Sequence, residues 1–382
     1  MSDQSRPMRI VHVLREVVLA HGGVTRAVLD LGTELADLGH SVTVITRDAT
    51  DIPTDWNQSG RPASAPFTEA ETLIRQADVL HLHTPWERKS GKMIRIAKDA
   101  GTPYVITPHG MLDDWSMEQK GLKKRLYLTL VGRKHLEGAA AVHCTAQAEV
   151  EQAKPWFPKG RAVVLPLVLD TAPFVSLPPP SLAIDKFGLD PERPIVLFIS
   201  RIHYKKGLDT LMRASATLRN RGVNHTLAIA GTGPASEERA AHELADELKL
   251  EGTAKFLGMV SGEAKFSLMG AATASALPTH QENFGFVNVE SLAAGTPTIT
   301  TKRVDIWAEL ESSGGAVITE RTPDAFADAL AGLLTDPARA DAMSDAGRTW
   351  ALDRFAPGRI ASEYEAFYRK LSTGADPRTA AS

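Results

Sequence analysis

The chain has 382 residues, 43% hydrophobic and 23% charged, which suits a globular protein but exceeds one ordinary core, so two domains of roughly 150–200 residues are expected. A formal net charge of -3 gives no overall pull toward nucleic acid. The one cysteine, Cys144, rules out an intrachain disulfide and argues against a cysteine-based metal site.

In chain order, Met8–Leu14 is the first apolar run, too short for a signal peptide or a membrane span, so a reducing cytoplasm is the expected compartment. Arg9–Leu14 reads as a strand. Val24, Ala27, Val28, Leu31, Leu35 and Leu38 follow at helical spacing, and Gly39-His40 stops that helix before the strand Ser41–Thr46. Asp51–Phe67 carries several Pro, Gly and Ser and reads as an irregular insertion. Asp78–His81 and Tyr104–Thr107 are further strands, with a helix over Gly91–Ala100 between them; Ala139–Cys144 and Arg161–Leu165 close this half. Alternation of strand and helix implies parallel pairing with right-handed crossovers.

Pro173 and Pro178-Pro179-Pro180 interrupt the pattern and stiffen the chain. A first domain over residues 1–172, a linker over 173–181 and a second domain over 182–355 are therefore expected. The alternation restarts with Ile195–Ser200, Thr226–Ala230, Ala254–Leu257, Ala274–Leu277, Pro297–Thr300 and Ala316–Ile318. Pro323 to about Leu371 reads as helical. Residues 356–371 are expected to be a helix packing back toward the first domain, and 372–382 a disordered tail.

Several constellations could carry chemistry. His21-Gly22-Gly23 opens the first helix, where backbone N–H groups favour an anion. His81-x-His83 could bind a metal, but no third ligand is evident in the sequence. His109, at the end of its strand, could touch a substrate hydroxyl or carry a proton. Lys120–Lys134 interleaves cations with Leu122, Leu126, Leu128, Leu130 and Val131; it fits a domain helix with a solvated basic face, or an amphipathic helix on an anionic membrane. Arg201 and Lys206 leave the carboxyl end of a strand beside a helix start, which makes an anion site or a solvated basic turn. Gly231-Thr232-Gly233 could let backbone approach a ligand or be a plain turn. Glu282 sits in a polar loop and Glu290 in the helical pattern after it, eight positions apart, around Asn283-Phe284-Gly285. Their place beyond a strand is where an open α/β sheet binds ligands. The chain has no GxGxxG fingerprint and no GxxxxGK[ST] loop, which weakens dehydrogenase and NTPase readings; it also has no Asp-x-Asp pair, the usual grip on a divalent ion bound to a nucleotide-sugar diphosphate, and no GxSxG nucleophile elbow.

With these residues placed, the chain resembles the retaining glycosyltransferases of family four, whose fold is two Rossmann-like α/β domains facing across a cleft (GT-B). The match runs over most of residues 8–355. It rests on Glu282-NFGFVNV-Glu290, SRIHYKKGLDTL with Arg201 and Lys206, AGTGP with Gly231 and Gly233, FLGMVS and Gly22-Gly23, in that family's order. The resemblance implies a hexosyl transfer from a nucleoside-diphosphate sugar, UDP- or GDP-linked, to an acceptor hydroxyl with retention. Polysaccharide or glycoconjugate synthesis is the expected setting, with no metal or other cofactor. Arg201 and Lys206 would bind the diphosphate, approached from the other domain by Gly22 and Gly23. Glu282, with the backbone N–H groups of Asn283, Phe284, Gly285 and Phe286 nearby, would hold the sugar, and Glu290 the ribose. Met259, within Leu257–Val260, would line the base pocket, and His109 would sit by sugar and acceptor. Leu165–Asp170 departs from the Gly or Asn-Gly turn of many relatives, which bears on local geometry only. The expected partners are the donor, a sugar, lipid-linked or polysaccharide acceptor, and a weak peripheral membrane contact through Lys120–Lys134. A nucleotide-sugar epimerase of the same fold, a glycosidase or a non-catalytic nucleotide-sugar-binding protein are the alternatives.

Overall fold

The computed structural model describes residues 6–19, 22–87, 89–119, 121–356 and 358–374. His21, Lys120 and residues 375–382, all singled out above, lie outside the described residues. The chain divides into two units, one of Met1–Asp170 with Pro357–Ser382 and one of Thr171–Ala356.

The first unit is built on seven strands: β1 (Arg9–Val13), β2 (Ser41–Thr46), β3 (Ala63–Pro66), β4 (Val79–Leu82), β5 (Tyr104–Ile106), β6 (Ala141–Cys144) and β7 (Ala162–Val164). Their order is β3-β2-β1-β4-β5-β6-β7, and all pairs are parallel. Helices cover both faces of such a sheet, so its strands are continuous apolar runs; every residue of β4 and β6 is buried. Strand β3 lies inside the stretch expected to be irregular. It pairs with β2 from Thr43–Ala63 to Thr46–Pro66 at the sheet edge, where a proline lacking an N–H is tolerated. Its sequence, ASAP, has no β-branched or aromatic residue to announce a strand. The helix Arg359–Ser372 completes this unit, burying Ile360, Ala361, Tyr364, Phe367, Tyr368 and Leu371 as a stripe at helical spacing.

The second unit has six parallel strands: β8 (Ile195–Ile199), β9 (Thr226–Ala230), β10 (Ala254–Gly258), β11 (Ala274–Ala276), β12 (Thr298–Thr300) and β13 (Ala316–Ile318), in the order β10-β9-β8-β11-β12-β13. The chain leaves β8 to one side and returns to β11 on the other, so the strand order reverses between them, which is where an open α/β sheet binds ligands beyond its carboxyl ends. The prolines expected to form a spacer instead open helices. Pro173 lies in the first turn of Ala172–Val175 and Pro180 begins Pro180–Phe187, where a missing N–H costs nothing. The Ser267 hydroxyl donates to Pro179 O at 2.7 Å and accepts from Ala183 N–H at 3.0 Å, tying that helix to the second unit. No helix among the described residues is long and apolar enough to cross a membrane.

Candidate functional site

In the second unit Arg201, Lys206, Gly231, Gly233, Glu282 and Asn283 lie on the loops beyond β8, β9 and β11, Glu290 lies on the helix that follows, and Met259 lies beyond β10. Chain reversal after β8 is made by a 3-10 turn, Tyr204–Lys206, and by Gly207 at φ 70° before the helix Leu208–Asn220. The three loops interlock through backbone. Ile202 N–H donates to Thr232 O at 2.9 Å and His280 N–H to Lys205 O at 2.8 Å. A Cβ on Gly207, Gly231 or Gly233 would stand 1.9 Å from Pro278 O, Ser200 O or Ile202 O respectively. Loop-on-loop contact therefore accounts for glycine at 231 and 233, apart from any ligand. It also holds the backbone that carries Arg201 and Lys206.

Arg201 is exposed, and its guanidinium has no ion pair or hydrogen bond with a described residue. Lys206 Nζ donates to Glu282 Oε2, with the two side chains 13% and 23% exposed. The two were expected to serve different parts of a ligand; here they pair with each other. Glu290 has its own cation, Lys265, whose Nζ lies 2.8 Å from both carboxylate oxygens. Each acid of the pair thus has an assigned lysine.

Asp305, only 2% exposed, holds the loop that carries Glu282. Its carboxylate accepts from Gln281 Nε2 and Asn283 Nδ2, both at 3.0 Å, and its N–H donates to Glu282 O and Asn283 O at 3.0 and 3.1 Å. Phe284 is buried against Phe286 and Phe355, with ring centroids at 4.9 and 5.9 Å. Gly285, at φ 67°, starts the helix Phe286–Ala293. A side chain there would meet Asn288 Nδ2 at 2.9 Å and Val304 Cγ1 at 3.0 Å. Met259 is 69% exposed beside Gly258 at φ 66°.

In the first unit, Gly22 caps the helix Gly23–Asp37 at φ 123° with open space where a Cβ would be. His109 follows β5 in the left-handed region, φ 50°, which a non-glycine residue seldom occupies outside turns and functional sites. Glu149, fully buried, braces this turn by accepting from Gly110 N–H and Thr145 N–H, each at 2.7 Å. His109 is 7% exposed, and its Nε2 lies 3.0 Å from His83 Nδ1. Burial, and then the charge of His143, lower its pKa to about 3, so it is neutral near pH 7. The third neighbour of His81 and His83 is His12, whose register partner on β4 is His81; ring nitrogens of the three lie within 4.8 Å of one another. A cavity of about 620 Å³ lies at the opposite edge of this sheet, lined by Lys98, Pro103, Glu137 and Arg161, and includes none of the candidate residues.

The basic segment is a helix over Gly121–Tyr127 continued by a π-helical turn over Leu128–Gly132. Leu128 is buried, but Leu122, Leu126 and Leu130 are 85%, 59% and 62% exposed. At a spacing of four they form one apolar face open to solvent, beside Lys123, Arg125 and Arg133.

Asp305, Lys265, Glu149 and His12 were not singled out from the sequence. Lys265 and Glu149 look like ordinary surface residues of amphipathic helices. Asp305 follows β12 at the carboxyl edge, and His12 interrupts the apolar run RIVHVL; both positions carried a signal.

Residues 182–350 match the family model "Glycosyl transferases group 1", and residues 22–167 match "Glycosyl transferase 4-like domain". The chain is 31% identical over 198 residues to a GDP-mannose-dependent alpha-(1-6)-phosphatidylinositol monomannoside mannosyltransferase of Mycolicibacterium smegmatis, a match over 46% of this chain and 51% of that protein, about half its length. It is 26% identical over 365 residues to glycogen synthase of Mycobacterium tuberculosis, covering 86% of each. Among solved structures, Anabaena HepE in complex with UDP-glucose superposes with a TM-score of 0.74 at 18% identity, over 96% of this chain and 100% of that one.

Proposed function

The chain belongs to the group 1 glycosyl transferases, and we propose that it moves a hexosyl group from a nucleoside-diphosphate sugar to an acceptor hydroxyl, with retention at the anomeric carbon. The observation that carries this reading is the grouping of Arg201, Lys206 and Glu282 on the interlocked loops beyond β8, β9 and β11, with Glu290 on the helix that follows. The guanidinium of Arg201 is available for a bidentate grip on phosphate. Lys206 exchanges its Glu282 partner for the diphosphate, and Glu282 turns to sugar hydroxyls. As the bond from the anomeric carbon to the diphosphate oxygen breaks, negative charge builds on the leaving group. Preplaced cations stabilise that charge more than they stabilise bound substrate. The leaving phosphate takes the acceptor proton on the same face, so Glu282 positions rather than attacks. Glu290 holds the ribose, and Met259 borders the base. To the first unit we assign the acceptor side, with His109 by sugar and acceptor, while Gly22 and Gly23 keep a role at the donor diphosphate.

The supporting parallels are a relative named for GDP-mannose and phosphatidylinositol monomannoside, and a structural neighbour solved with UDP-glucose. We propose UDP- or GDP-sugar as donor, a lipid-linked or polysaccharide acceptor, and a membrane contact through Leu122, Leu126 and Leu130 with the cations beside them. The test is release of nucleoside diphosphate from UDP-glucose and GDP-mannose with and without a panel of lipid-linked and polysaccharide acceptors. Release that depends on acceptor, with product retaining the donor's anomeric configuration, is expected. Release independent of acceptor, or interconversion of the sugar without transfer, would overturn the reading.

A further inference from the structure

Two hydrogen-bonded chains of buried side chains cross the first unit near His109, and they end differently. In one, Tyr368 Oη lies 2.7 Å from His81 Nδ1, His81 Nε2 is 2.6 Å from Thr107 Oγ1, Thr107 Oγ1 is 2.7 Å from His143 Nδ1, and His143 Nε2 is 2.8 Å from Leu165 O. A carbonyl oxygen only accepts, so His143 carries its proton on Nε2. Its Nδ1 then accepts from the Thr107 hydroxyl. That hydroxyl oxygen accepts from His81 Nε2–H, and His81 Nδ1 accepts from the Tyr368 hydroxyl. One direction is imposed on the whole chain, and both nitrogens of each histidine are satisfied.

The other chain is His12, His83 and His109. His12 Nδ1 is 2.8 Å from His83 Nε2, and His83 Nδ1 is 3.0 Å from His109 Nε2. Its two terminal nitrogens, His12 Nε2 and His109 Nδ1, are buried and have no hydrogen-bond partner. Burial lowers the pKa of His12 to about 3 and that of His83 well below the usual histidine value, so each ring, like His109, carries one proton near neutral pH. Each of the two contacts needs one N–H and one bare nitrogen. Three singly protonated rings meet that demand in only two ways, with every proton on Nδ1 or every proton on Nε2. The first leaves an unpaired N–H at His109 Nδ1; the second leaves it at His12 Nε2. A buried N–H without an acceptor is rare, so it belongs at the end an oxygen can reach. His12 is 0% exposed on a central strand; His109 Nδ1 is itself buried, but its residue is 7% exposed and stands in the turn beyond β5, at the carboxyl edge of the sheet where a ligand oxygen would arrive.

We propose that His12 and His83 are positioning residues that fix His109 in its Nδ1–H tautomer, so that it presents one hydrogen-bond donor to an oxygen of the transferred sugar or of the acceptor. Which nitrogen of an imidazole carries the proton is set by the bond its other nitrogen makes, and here that bond is relayed through two rings. Only the identity of the oxygen rests on the glycosyltransferase reading. A metal ion shared by His12, His81 and His83 is the competing occupant of this cluster. It fits poorly, because both His81 nitrogens are engaged and the His12–His83 separation of 2.8 Å is a hydrogen-bond length. Two tetrahedral ligands about 2.0 Å from zinc stand roughly 3.3 Å apart.

The test is nitrogen NMR of the full chain carrying ¹⁵N-histidine, with no sugar nucleotide added. Two-bond proton–nitrogen correlations should show His12, His83 and His109 protonated on Nδ1, with His81 and His143 on Nε2 as internal references. His12→Phe removes the donor to His83 and should release His109 to the Nε2–H form. His12→Asn puts an amide N–H near the lost Nδ1 and should restore the wild-type pattern. In turnover, His12→Phe should lose on the order of tenfold in kcat/KM, recovered by His12→Asn, with melting temperature checked in both. His109 on Nε2–H in the wild-type chain, an unchanged His109 tautomer in folded His12→Phe, or stoichiometric Zn²⁺ uptake that erases the ring-to-ring pattern would each overturn the proposal. If His12→Phe does not fold, the wild-type tautomers decide. Expected tautomers in a chain that turns over no sugar nucleotide would overturn the glycosyltransferase reading alone.

Discussion

Lys206 and Glu282 are 76 residues apart in sequence and share an ion pair. Their types and strand-edge positions were legible from the sequence; their contact was not, because it depends on how β8 and β11 lie side by side. Lys206→Ala should lower turnover on the order of 100- to 1,000-fold while the fold survives, since a preplaced donor to developing charge is removed from a partly exposed site. Steady-state rates with a melting curve check this, and near-normal turnover would contradict the role. Asp305 stands at a readable strand edge, but its role was hidden for a related reason, since nothing local marks it as the anchor of a loop over twenty residues earlier. Asp305→Ala leaves Gln281 Nε2 and Asn283 Nδ2 without their carboxylate. It should cost about 1–3 kcal/mol and weaken donor binding, measured by thermal unfolding and titration.

At the scale of elements, strands β1, β2 and β4 to β13 were readable as apolar runs, with ends shifted by a residue or two, because buried parallel strands need no polar alternation. Strand β3 was not, since edge pairing to β2 compensates for a sequence without strand propensity. Glycine at 233 is explained by a contact that only the folded loops create. Gly233→Ala, at a position without a positive φ, tests that contact cleanly and should cost about 1–3 kcal/mol from overpacking against Ile202 O. The helix Gly121–Tyr127 and its π-helical extension are amphipathic in sequence, yet the solvated basic face expected of them shares the surface with exposed leucines. Changing Leu122, Leu126 and Leu130 together to serine should reduce binding to phosphatidylserine vesicles roughly tenfold or more in a sedimentation assay. Unchanged binding would remove the membrane role.

At the scale of the whole molecule, two α/β units were expected from length and from the restart of the strand-helix pattern. The boundary at Asp170 and Thr171 was blurred because the prolines that seemed to mark a spacer begin helices of the second unit. The first unit also carries an acid sensitivity that composition hides. His12, His81, His83, His109 and His143 all have lowered pKa values, chiefly from burial. The unfolded chain binds protons at these sites near pH 6.5 and the folded chain only well below it. Their contribution to stability is therefore intact above about pH 6.5 and is lost as pH falls from there toward the folded values. Melting curves followed from about pH 7.5 down to 5 should show a falling transition, with hydrogen exchange rising first in β1, β4, β5 and β6. A transition independent of pH across that range would contradict the neutral, buried state of these rings.

The donor site on the second unit is tested most directly by calorimetric titration of the full chain with UDP-glucose and with GDP-mannose, beside the double variant Arg201→Ala/Lys206→Ala. Saturable one-site binding of at least one donor is expected in the wild-type chain, weakened on the order of 100-fold in a double variant that still unfolds cooperatively, because two charged hydrogen-bond donors to phosphate are lost. Equal affinity in both proteins, or no binding of either donor by the wild-type chain, would contradict it.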